Sequence, residues 1–387
     1  QAPPQLFDLT TLQREASSKF GFSARNTLAI AQSLYERHKL LTYPRTDSKC
    51  LPEDYIDTIS THIEGFANSI SSASLEQQII DSSSKVINNK WIKPNKRIFN
   101  NAKISDHFAI VPTGKVPTAA LNEQEQKIFN LVTKRLIAIF FPSAEFETTR
   151  RITRIENDSF LTTGKVLVEP GYLEVYGRKP GVATEKNELI PAETGDKAKT
   201  SSIEIIAEET KPPARFNEAT LLGAMETAGK RIDDEELKDA MKERGLGTPA
   251  TRAAIIEGLI AHKYLFRHEQ QKRDLVVSNK GLALIDLLDD IGIDALRSPE
   301  MTGDWEYKLK QMETGKLSRE VFMEEIKNLT EEIVNRTSLK IEELANRVFD
   351  DLHATCPDCQ EKELKQTDGS YECRETECKF KLNKHIA

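Results

Sequence analysis

Four of the five cysteines lie in one short C-terminal stretch of the chain, and they constrain its fold more than any other feature. Cys356, Cys359, Cys373 and Cys378 are separated by two, thirteen and four residues. Thiolates in two close pairs across a polar hairpin match a tetrahedral structural zinc site, which leaves no open position for catalysis. The sequence therefore predicts a four-cysteine zinc ribbon holding Zn2+ over residues 350–387. The clustering also favours metal over disulfides, and with it an intracellular location.

The composition is that of an ordinary globular protein, with 38% hydrophobic and 30% charged residues. At 387 residues, the chain is long enough for two to four domains. No apolar run reaches the ~18 residues of a membrane span and no signal peptide is recognisable, so we expect no membrane association. The remaining cysteine, Cys50, is interpreted as a buried or free thiol.

The net charge of −7 argues against a simple DNA-binding protein, but one segment is strongly basic. Residues 85–115, the lysine-rich segment, hold seven lysines or arginines against the single carboxylate of Asp106. Basic groups neutralise phosphates, and aromatic side chains such as Trp91 stack on unpaired bases. The segment fits a DNA contact through Lys96 and Arg97, although a solvated loop would have the same composition.

The hydrophobic pattern divides the chain into four parts. We expect helices first, then a β-rich part, then helices again, and finally the zinc ribbon. The parts are residues 1–142, 143–212, 213–347 and 350–387. Runs rich in threonine, valine and isoleucine predict β-structure in the second part, and they are Thr148–Ile155, Phe160–Val168 and Ser202–Ile206. The fold class is therefore α+β and multidomain.

Part of the third region has the pattern of a winged helix. Thr248 is a plausible N-cap with Pro249 at the first helical position. Two strand-like runs follow the helix, Tyr264–Arg267 and Leu275–Ser278, and an apolar helix over Leu282–Leu288 completes the unit. Winged helices often contact DNA, but the pattern is common and is not specific to DNA-binding proteins.

The segment Leu41–Ser48 contains a Tyr-Pro-Arg string that suits chemistry on a phosphate. Pro44 biases Tyr43 away from helix and toward an extended backbone. Residues two apart in an extended segment share a face, so Arg45 is expected to point the same way as Tyr43. A phenol is a weak nucleophile at neutral pH, and a guanidinium both favours the phenolate and grips a phosphate oxygen. On its own, the string is more typical of a half-buried tyrosine before a turn closed by Asp47 or Ser48.

Two further segments carry candidate phosphate contacts. His107 lies in the lysine-rich segment, where an imidazole can donate to a phosphate or relay a proton, although a lone histidine is more often structural. Gly245 and Gly247 lead into a helix N-terminus, whose free N–H groups suit an anion. Thr251 and Arg252 fall in its first turn and fit a DNA phosphate, but a plain glycine turn would give the same string.

Taken together and in order, these segments resemble type IA DNA topoisomerases, in particular their topoisomerase III branch. The ordered set is far more specific than any single member and spans essentially the whole chain. The matching strings are Leu9–Ala16, Gly21–Ala24, Leu41–Ser48, His107–Thr113, Pro212–Ala219, Leu246–Ile256 and Met301–Glu306.

The resemblance implies a role for each candidate residue. Tyr43 would join the 5′ phosphate of a cut single strand, Arg45 would position the phenol and the phosphate, and His107 would contact the phosphate. Single-stranded DNA would lie in a groove that includes Thr251. Further DNA contacts are expected from Arg252, Arg215, Lys96 and Arg97. The retained phosphodiester energy would make ATP unnecessary, and the location would be the cytoplasm, at the nucleoid.

The resemblance also implies a toroidal fold and a metal that this chain does not supply. The chain would provide the helical tyrosine domain, part of a β arch, the helical groove domain and the zinc ribbon. Family members begin with a Toprim domain whose carboxylates hold Mg2+ beside the tyrosine, and no such domain is recognisable here. We therefore expect the chain, probed alone as a monomer, to bind single-stranded DNA without relaxing plasmid, and a complementary Toprim-containing fragment to restore activity. His262-Lys263 replaces a more usual basic-glycine pair.

Two other interpretations compete with a topoisomerase. A winged-helix and zinc-ribbon protein could bind DNA without cutting it, and it would be indifferent to Tyr43→Phe. A tyrosine recombinase also uses a phenol, but it needs a His-x-x-Arg element, and none of the seven histidines has arginine three residues later.

Overall fold

The computed structural model describes most of the chain, in two compact units. One unit holds residues 1–285 and 298–310, and the other holds residues 286–297 and 311–387. The described residues are 1–70, 75–117, 120–179, 192–197, 199–231, 245–268, 273–293, 296–345 and 355–383, apart from 361, 363, 367–369 and 376 within the last range.

Five helices form the first part of the larger unit. They are α1 (Leu9–Phe20), α2 (Ala24–Glu36), α3 (Ile56–Ala67), α4 (Gln77–Asn88) and α5 (Glu123–Ala138). Asp8, Ser23 and Asn122 cap α1, α2 and α5, and each side chain accepts a hydrogen bond from the backbone three residues later. Gly21 ends α1 in the left-handed conformation at φ 71°. Local sequence signals therefore set these boundaries.

These helices enclose one hydrophobic core. Leu12, Leu34, Ile63 and Phe129 are fully buried in it, one from each of α1, α2, α3 and α5. A short 3-10 helix at Gly171–Tyr176 adds the buried side chains of Tyr172 and Val175 to this core. The core gives the irregular segments between the helices a rigid support, since buried apolar contacts of this kind dominate folding stability.

A long antiparallel hairpin follows the helices. Strand β1 (Glu145–Ile155) pairs with β2 (Asp158–Glu169), and Ile152 lies opposite Leu161. Both strands were predicted. The third predicted strand, Ser202–Ile206, is wrong, because residues 199–216 contain neither helix nor strand and Ile205 is 97% exposed. A β-branched run forms a strand only with a pairing partner, and no described residue pairs with this one.

The remainder of the larger unit contains the predicted winged-helix pattern. Its elements, the last two of which extend into the smaller unit, are α6 (Glu218–Glu226), α7 (Pro249–Ala261), β3 (Leu265–Arg267), β4 (Leu275–Val277), α8 (Asn279–Ile291) and α9 (Glu300–Glu313). Pro249 occupies the first turn of α7 after Thr248, as predicted. Leu222, Ala253 and Leu275 pack with Ala24 of α2 into a second, smaller core. Lys263 adopts φ 60°, a conformation that favours glycine. This explains why the resemblance leads one to expect glycine at the position of Lys263.

The smaller unit consists of a long helix and the cysteine-bearing ribbon. Helix α10 (Arg319–Ala345) holds residues 286–297 through a hydrogen bond of 2.6 Å from Arg336 Nη1 to the carbonyl of Gly292. Strands β5 (Leu364–Gln366), β6 (Ser370–Cys373) and β7 (Lys381–Asn383) form an antiparallel sheet with β6 in the centre.

Within the described ranges, none of the helices combines the length and the apolar character that crossing a membrane requires.

Candidate active site

The tyrosine segment, residues 40–50, lies beside residues 107–113. The N–H of Thr42 donates to the carbonyl of Val111 at 2.9 Å, and the N–H of Val111 donates to Thr42 Oγ1 at 2.9 Å. The N–H of Thr113 donates to the carbonyl of Leu40 at 2.9 Å. The sequence has no helix signal here, and the backbone is instead hydrogen-bonded to residues 111–113. This pairing brings two motifs that are distant in the sequence side by side.

The same segment is held along its remaining length. The N–H of Leu9 donates to the carbonyl of Thr46 at 3.0 Å, and Thr46 Oγ1 donates to the carbonyl of His107 at 2.8 Å. Ser48 Oγ donates to the carbonyl of Lys103 at 2.8 Å. Thr46 and Ser48 are buried, so these bonds are shielded from water. The tyrosine therefore sits on a rigid backbone rather than on a mobile loop.

The ring of Tyr43 contacts two other aromatic rings. Its centroid is 4.3 Å from that of His107, and 5.5 Å from that of Tyr35, which meets it edge to face. Tyr43 is half-buried, and its hydroxyl is not fully buried and makes no hydrogen bond to any described residue. The His107 side chain is exposed. The structure thus brings two of the three predicted catalytic residues, Tyr43 and His107, into contact.

Arg45 follows Tyr43 by two positions and is half-buried. Across the described parts of the chain, its guanidinium makes neither a hydrogen bond nor an ion pair. A guanidinium without a protein partner is free to bind an anion bidentately. The site therefore offers a phenol, an imidazole and an unpaired cation along two adjacent segments.

A charged cluster beneath this segment was not anticipated from the sequence. Lys49 Nζ lies 3.2 Å from Asp8 Oδ2 and 3.2 Å from Glu226 Oε1, and Arg14 Nη1 lies 3.3 Å from Glu226 Oε2. Burial raises the pKa of Asp8, and the attraction of Lys49 opposes that rise. The cluster joins α6 to the tyrosine segment. The sequence alone gives no sign of this cluster, since its members are far apart in the chain.

The structure gives different surroundings to the two residues of α7 that were expected to contact DNA. Thr251 is exposed in the first turn, and its Oγ1 accepts a hydrogen bond of 2.9 Å from the N–H of Thr248. Arg252 is 3% exposed and donates to the carbonyl of Leu246 at 3.1 Å and to Thr10 Oγ1 at 2.8 Å. Burial lowers the pKa of Arg252, and the carboxylates of Glu226, Asp8 and Asp47 oppose that effect. Arg252 therefore faces the protein interior, although the sequence analysis expected it to contact DNA.

The other expected DNA contacts also differ from one another. Arg215 is exposed and makes no ion pair with any described residue. Lys96 is exposed but pairs with Glu53 at 2.6 Å, and Arg97 donates to the carbonyl of Pro3. Composition identified the lysine-rich segment, but it could not show that these two cations already have partners within the protein.

The four C-terminal cysteines converge as the spacing predicted. All four sulfur atoms lie within 4.8 Å of one another, with Cys356 Sγ 3.7 Å from Cys378 Sγ and Cys359 Sγ 3.6 Å from Cys373 Sγ. Zinc–sulfur bonds of about 2.3 Å in a tetrahedron require sulfur atoms about 3.8 Å apart. None of the cysteines forms a disulfide. The donor set therefore fits Zn2+.

Comparisons with known proteins agree with these motifs. A family model described as DNA topoisomerase matches residues 1–324. A protein named DNA topoisomerase 3 from Bacillus cereus is 39% identical over 393 residues, covering 98% of this chain and 51% of the relative. A Bacillus subtilis protein of the same name is 35% identical, covering 97% of this chain and 51% of the relative. The chain thus spans about half the length of these relatives.

A solved structure shares the fold. Full-length topoisomerase I from Thermotoga maritima matches with a TM-score of 0.65 and 23% identity, covering 100% of this chain and 58% of that one. The family match, the curated relatives and the shared fold confirm the resemblance drawn from the ordered motifs. The chain belongs to the type IA DNA topoisomerase family and is similar to its topoisomerase 3 members.

Proposed function

We propose that this chain carries the nucleophile of an enzyme that changes DNA topology by cutting and rejoining one strand. Tyr43 Oη attacks a phosphorus atom of single-stranded DNA, the bond to the 3′ oxygen breaks, and the 5′ phosphate becomes attached to the tyrosine. The phenol loses its proton and the departing 3′ oxygen gains one. The observation that carries this proposal is the solvent-accessible phenol packed against His107 on a backbone held from both sides.

The neighbouring groups have separate tasks in this scheme. The unpaired guanidinium of Arg45 neutralises the phosphate as negative charge builds up during attack. The exposed imidazole of His107 donates a hydrogen bond to the same phosphate. Because the phosphotyrosine retains the energy of the broken phosphodiester, rejoining is the reverse of the first step and needs no ATP. A second strand passes through the gap before rejoining.

We assign DNA-binding roles to the exposed residues of the groove part. Thr251 lies at the N-terminus of α7, where N–H groups and a hydroxyl can meet a phosphate, and Arg215 is exposed and unpaired among the described residues. Arg252 has the supporting task of holding α7 against α1. Lys96 and Arg97 would reach DNA only by leaving Glu53 and Pro3.

The Mg2+ that the family implies does not fit the described residues of this chain. Among them, the four cysteines are the only group of three or more histidine, cysteine or acidic side chains arranged to hold a metal ion. No catalytic step is therefore assigned to a metal on this chain. We propose that the isolated chain binds single-stranded DNA as a monomer without relaxing plasmid. A complementary Toprim-containing fragment supplies the metal. The reaction takes place at the nucleoid in the cytoplasm.

The test uses the polarity of the covalent adduct. A single-stranded oligonucleotide is labelled at its 3′ end in one sample and at its 5′ end in another. Each is mixed with the chain, Mg2+ and the other half of the Bacillus cereus relative. The 3′ label should remain attached to protein in a denaturing gel, and the 5′ label should be released. Tyr43→Phe should abolish the adduct, whereas Tyr55→Phe should not.

Two results would contradict the proposal. The first is an adduct that persists in Tyr43→Phe, and the second is a 5′ label that stays with the protein. When the chain and Mg2+ are incubated with supercoiled plasmid but without the complementary half, the plasmid should remain supercoiled. Relaxation in that mixture would show that this chain holds a complete site. A winged-helix and zinc-ribbon protein without catalysis would bind DNA in every mixture and form no adduct.

A further inference from the structure

The β1–β2 hairpin has two faces of different charge. Residues opposite each other in an antiparallel pair share a face, so the register defines both sets. The basic face comprises Thr148, Arg150, Ile152, Arg154, Ser159, Leu161, Thr163 and Lys165. It contains three cations and no carboxylate. The opposite face carries the carboxylates of Glu147 and Asp158 together with Arg151.

The cations at the outer end of the basic face are available to a ligand. Arg150 and Arg154 are exposed, and neither pairs with a carboxylate anywhere in the described parts of the chain. They are four residues apart on one strand, which places their Cα atoms about 14 Å from each other. Thr148, Ser159 and Thr163 surround them with exposed hydroxyls. Unpaired guanidiniums flanked by hydroxyls are the groups that proteins use to bind phosphates along a nucleic-acid backbone.

The form of the hairpin favours duplex DNA over a single strand. A two-stranded ribbon is narrow enough to enter the major groove. Binding of unpaired bases relies on exposed aromatic rings, and the outer part of the basic face has none. Phe160 lies on the opposite face, and Phe146, at the base, is covered by Lys165 at 4.1 Å. Ile152 and Leu161, 55% and 57% exposed, provide apolar contact between the two arginines.

We propose that the basic face is a second DNA-binding site, separate from the tyrosine segment, which binds the phosphates of duplex DNA through Arg150 and Arg154. Binding is independent of base sequence, since the contacts are to the backbone. The site goes beyond the proposed cleavage reaction and does not depend on Tyr43. It gives the protein a contact for the double-stranded part of a substrate.

The test compares two variants with the same net charge. Arg150→Gln with Arg154→Gln removes two positive charges from the basic face. Thr149→Glu with Thr153→Glu adds two negative charges to the opposite face of the same strand, so the net charge changes equally. Affinity of the full chain for a short fluorescent duplex is measured by anisotropy at several salt concentrations. A single strand of the same sequence serves as the second probe.

The basic-face variant should lose several-fold in duplex affinity, and its logarithmic salt slope should fall in magnitude by about 1.8, as for two lost phosphate contacts. The opposite-face variant should keep most of the salt dependence of its duplex affinity. Arg150→Lys with Arg154→Lys should retain it as well, which excludes unfolding as the cause. Equal losses in both charge-matched variants, no loss in either, or a loss confined to the single strand would each overturn the proposal. None of these outcomes depends on covalent adduct formation, so the cleavage proposal is tested separately.

Discussion

Arg252 Nη1 donates a buried hydrogen bond of 2.8 Å to Thr10 Oγ1, across 242 positions of the chain. Thr10 is fully buried in α1, and Arg252 in α7 is 3% exposed. The bond ties α7 to α1, whose first residue, Leu9, donates its N–H to the carbonyl of Thr46 in the tyrosine segment. A residue that was expected to bind DNA therefore instead fixes two parts of the protein relative to each other.

Thr10→Val should lower the stability of the larger unit. The substitution keeps the shape of the side chain but leaves a buried guanidinium donor without its partner, which costs about 1–3 kcal/mol. The measurement is the midpoint of thermal unfolding followed by circular dichroism. Thr61→Val is the matched control, because Thr61 Oγ1 donates to the carbonyl of Asp57 on an exposed helix surface. Equal midpoints for the two variants would argue that the Arg252 bond contributes nothing.

Tyr35→Leu should slow adduct formation in the reconstituted enzyme. Tyr35 meets the Tyr43 ring edge to face at 5.5 Å, and such a pair contributes about 0.5–1.5 kcal/mol, or about two- to tenfold in rate if it orients the nucleophile. Tyr35→Phe retains the ring and should restore the rate. The readout is the single-turnover rate of adduct formation at saturating oligonucleotide. A Tyr35→Phe enzyme as slow as Tyr35→Leu would assign the effect to the hydroxyl instead.

Glu125→Gln should reduce stability at neutral pH more than in acid. Burial by itself raises the pKa of Glu125, but hydrogen bonds involving Ser33, Asn122 and His38 outweigh it and lower the pKa below 4.5. A carboxyl group whose pKa is lower in the folded protein stabilises it above its unfolded pKa, and this contribution is lost as the pH falls through the folded value. We expect Glu125→Gln to lower the free energy of unfolding by about 1 kcal/mol at pH 7 and by less near pH 3.

Unfolding midpoints at the two pH values test this expectation. Glu36→Gln is the control, since Glu36 is exposed and makes no side-chain hydrogen bond or ion pair within the described structure. A Glu125→Gln deficit that stayed constant with pH would indicate lost packing rather than a lost charge.

Zinc should bind in a ratio of one per chain and depend on the ribbon cysteines. Cys359→Ser and Cys373→Ser each remove one of four converging thiolates and should abolish stoichiometric zinc, measured by elemental analysis after dialysis. Cys50→Ser is the control, because Cys50 is buried in the helical core and its thiol donates to the carbonyl of Arg97. Zinc lost from Cys50→Ser, or retained by both ribbon variants, would contradict the four-cysteine site.

The sequence by itself determined the features that depend on neighbouring residues. Ser23 caps α2, Pro249 opens α7, and the runs rich in threonine, valine and isoleucine form the β1–β2 hairpin. The cysteine spacing likewise anticipated a convergent donor set, since two short loops suffice to close it. The run at 202–206 has the same local character as β1 but forms no strand, because pairing also needs a second strand.

Only the tertiary structure decided which distant residues meet. It placed His107 and Tyr35 against Tyr43, and buried Arg252 against Thr10. A local pattern states what a side chain can do, but its partners follow from how the helices pack around the core. Burial and pairing are properties of that packing, which is why a guanidinium expected in the DNA groove lies inside the protein while that of Arg45 remains free.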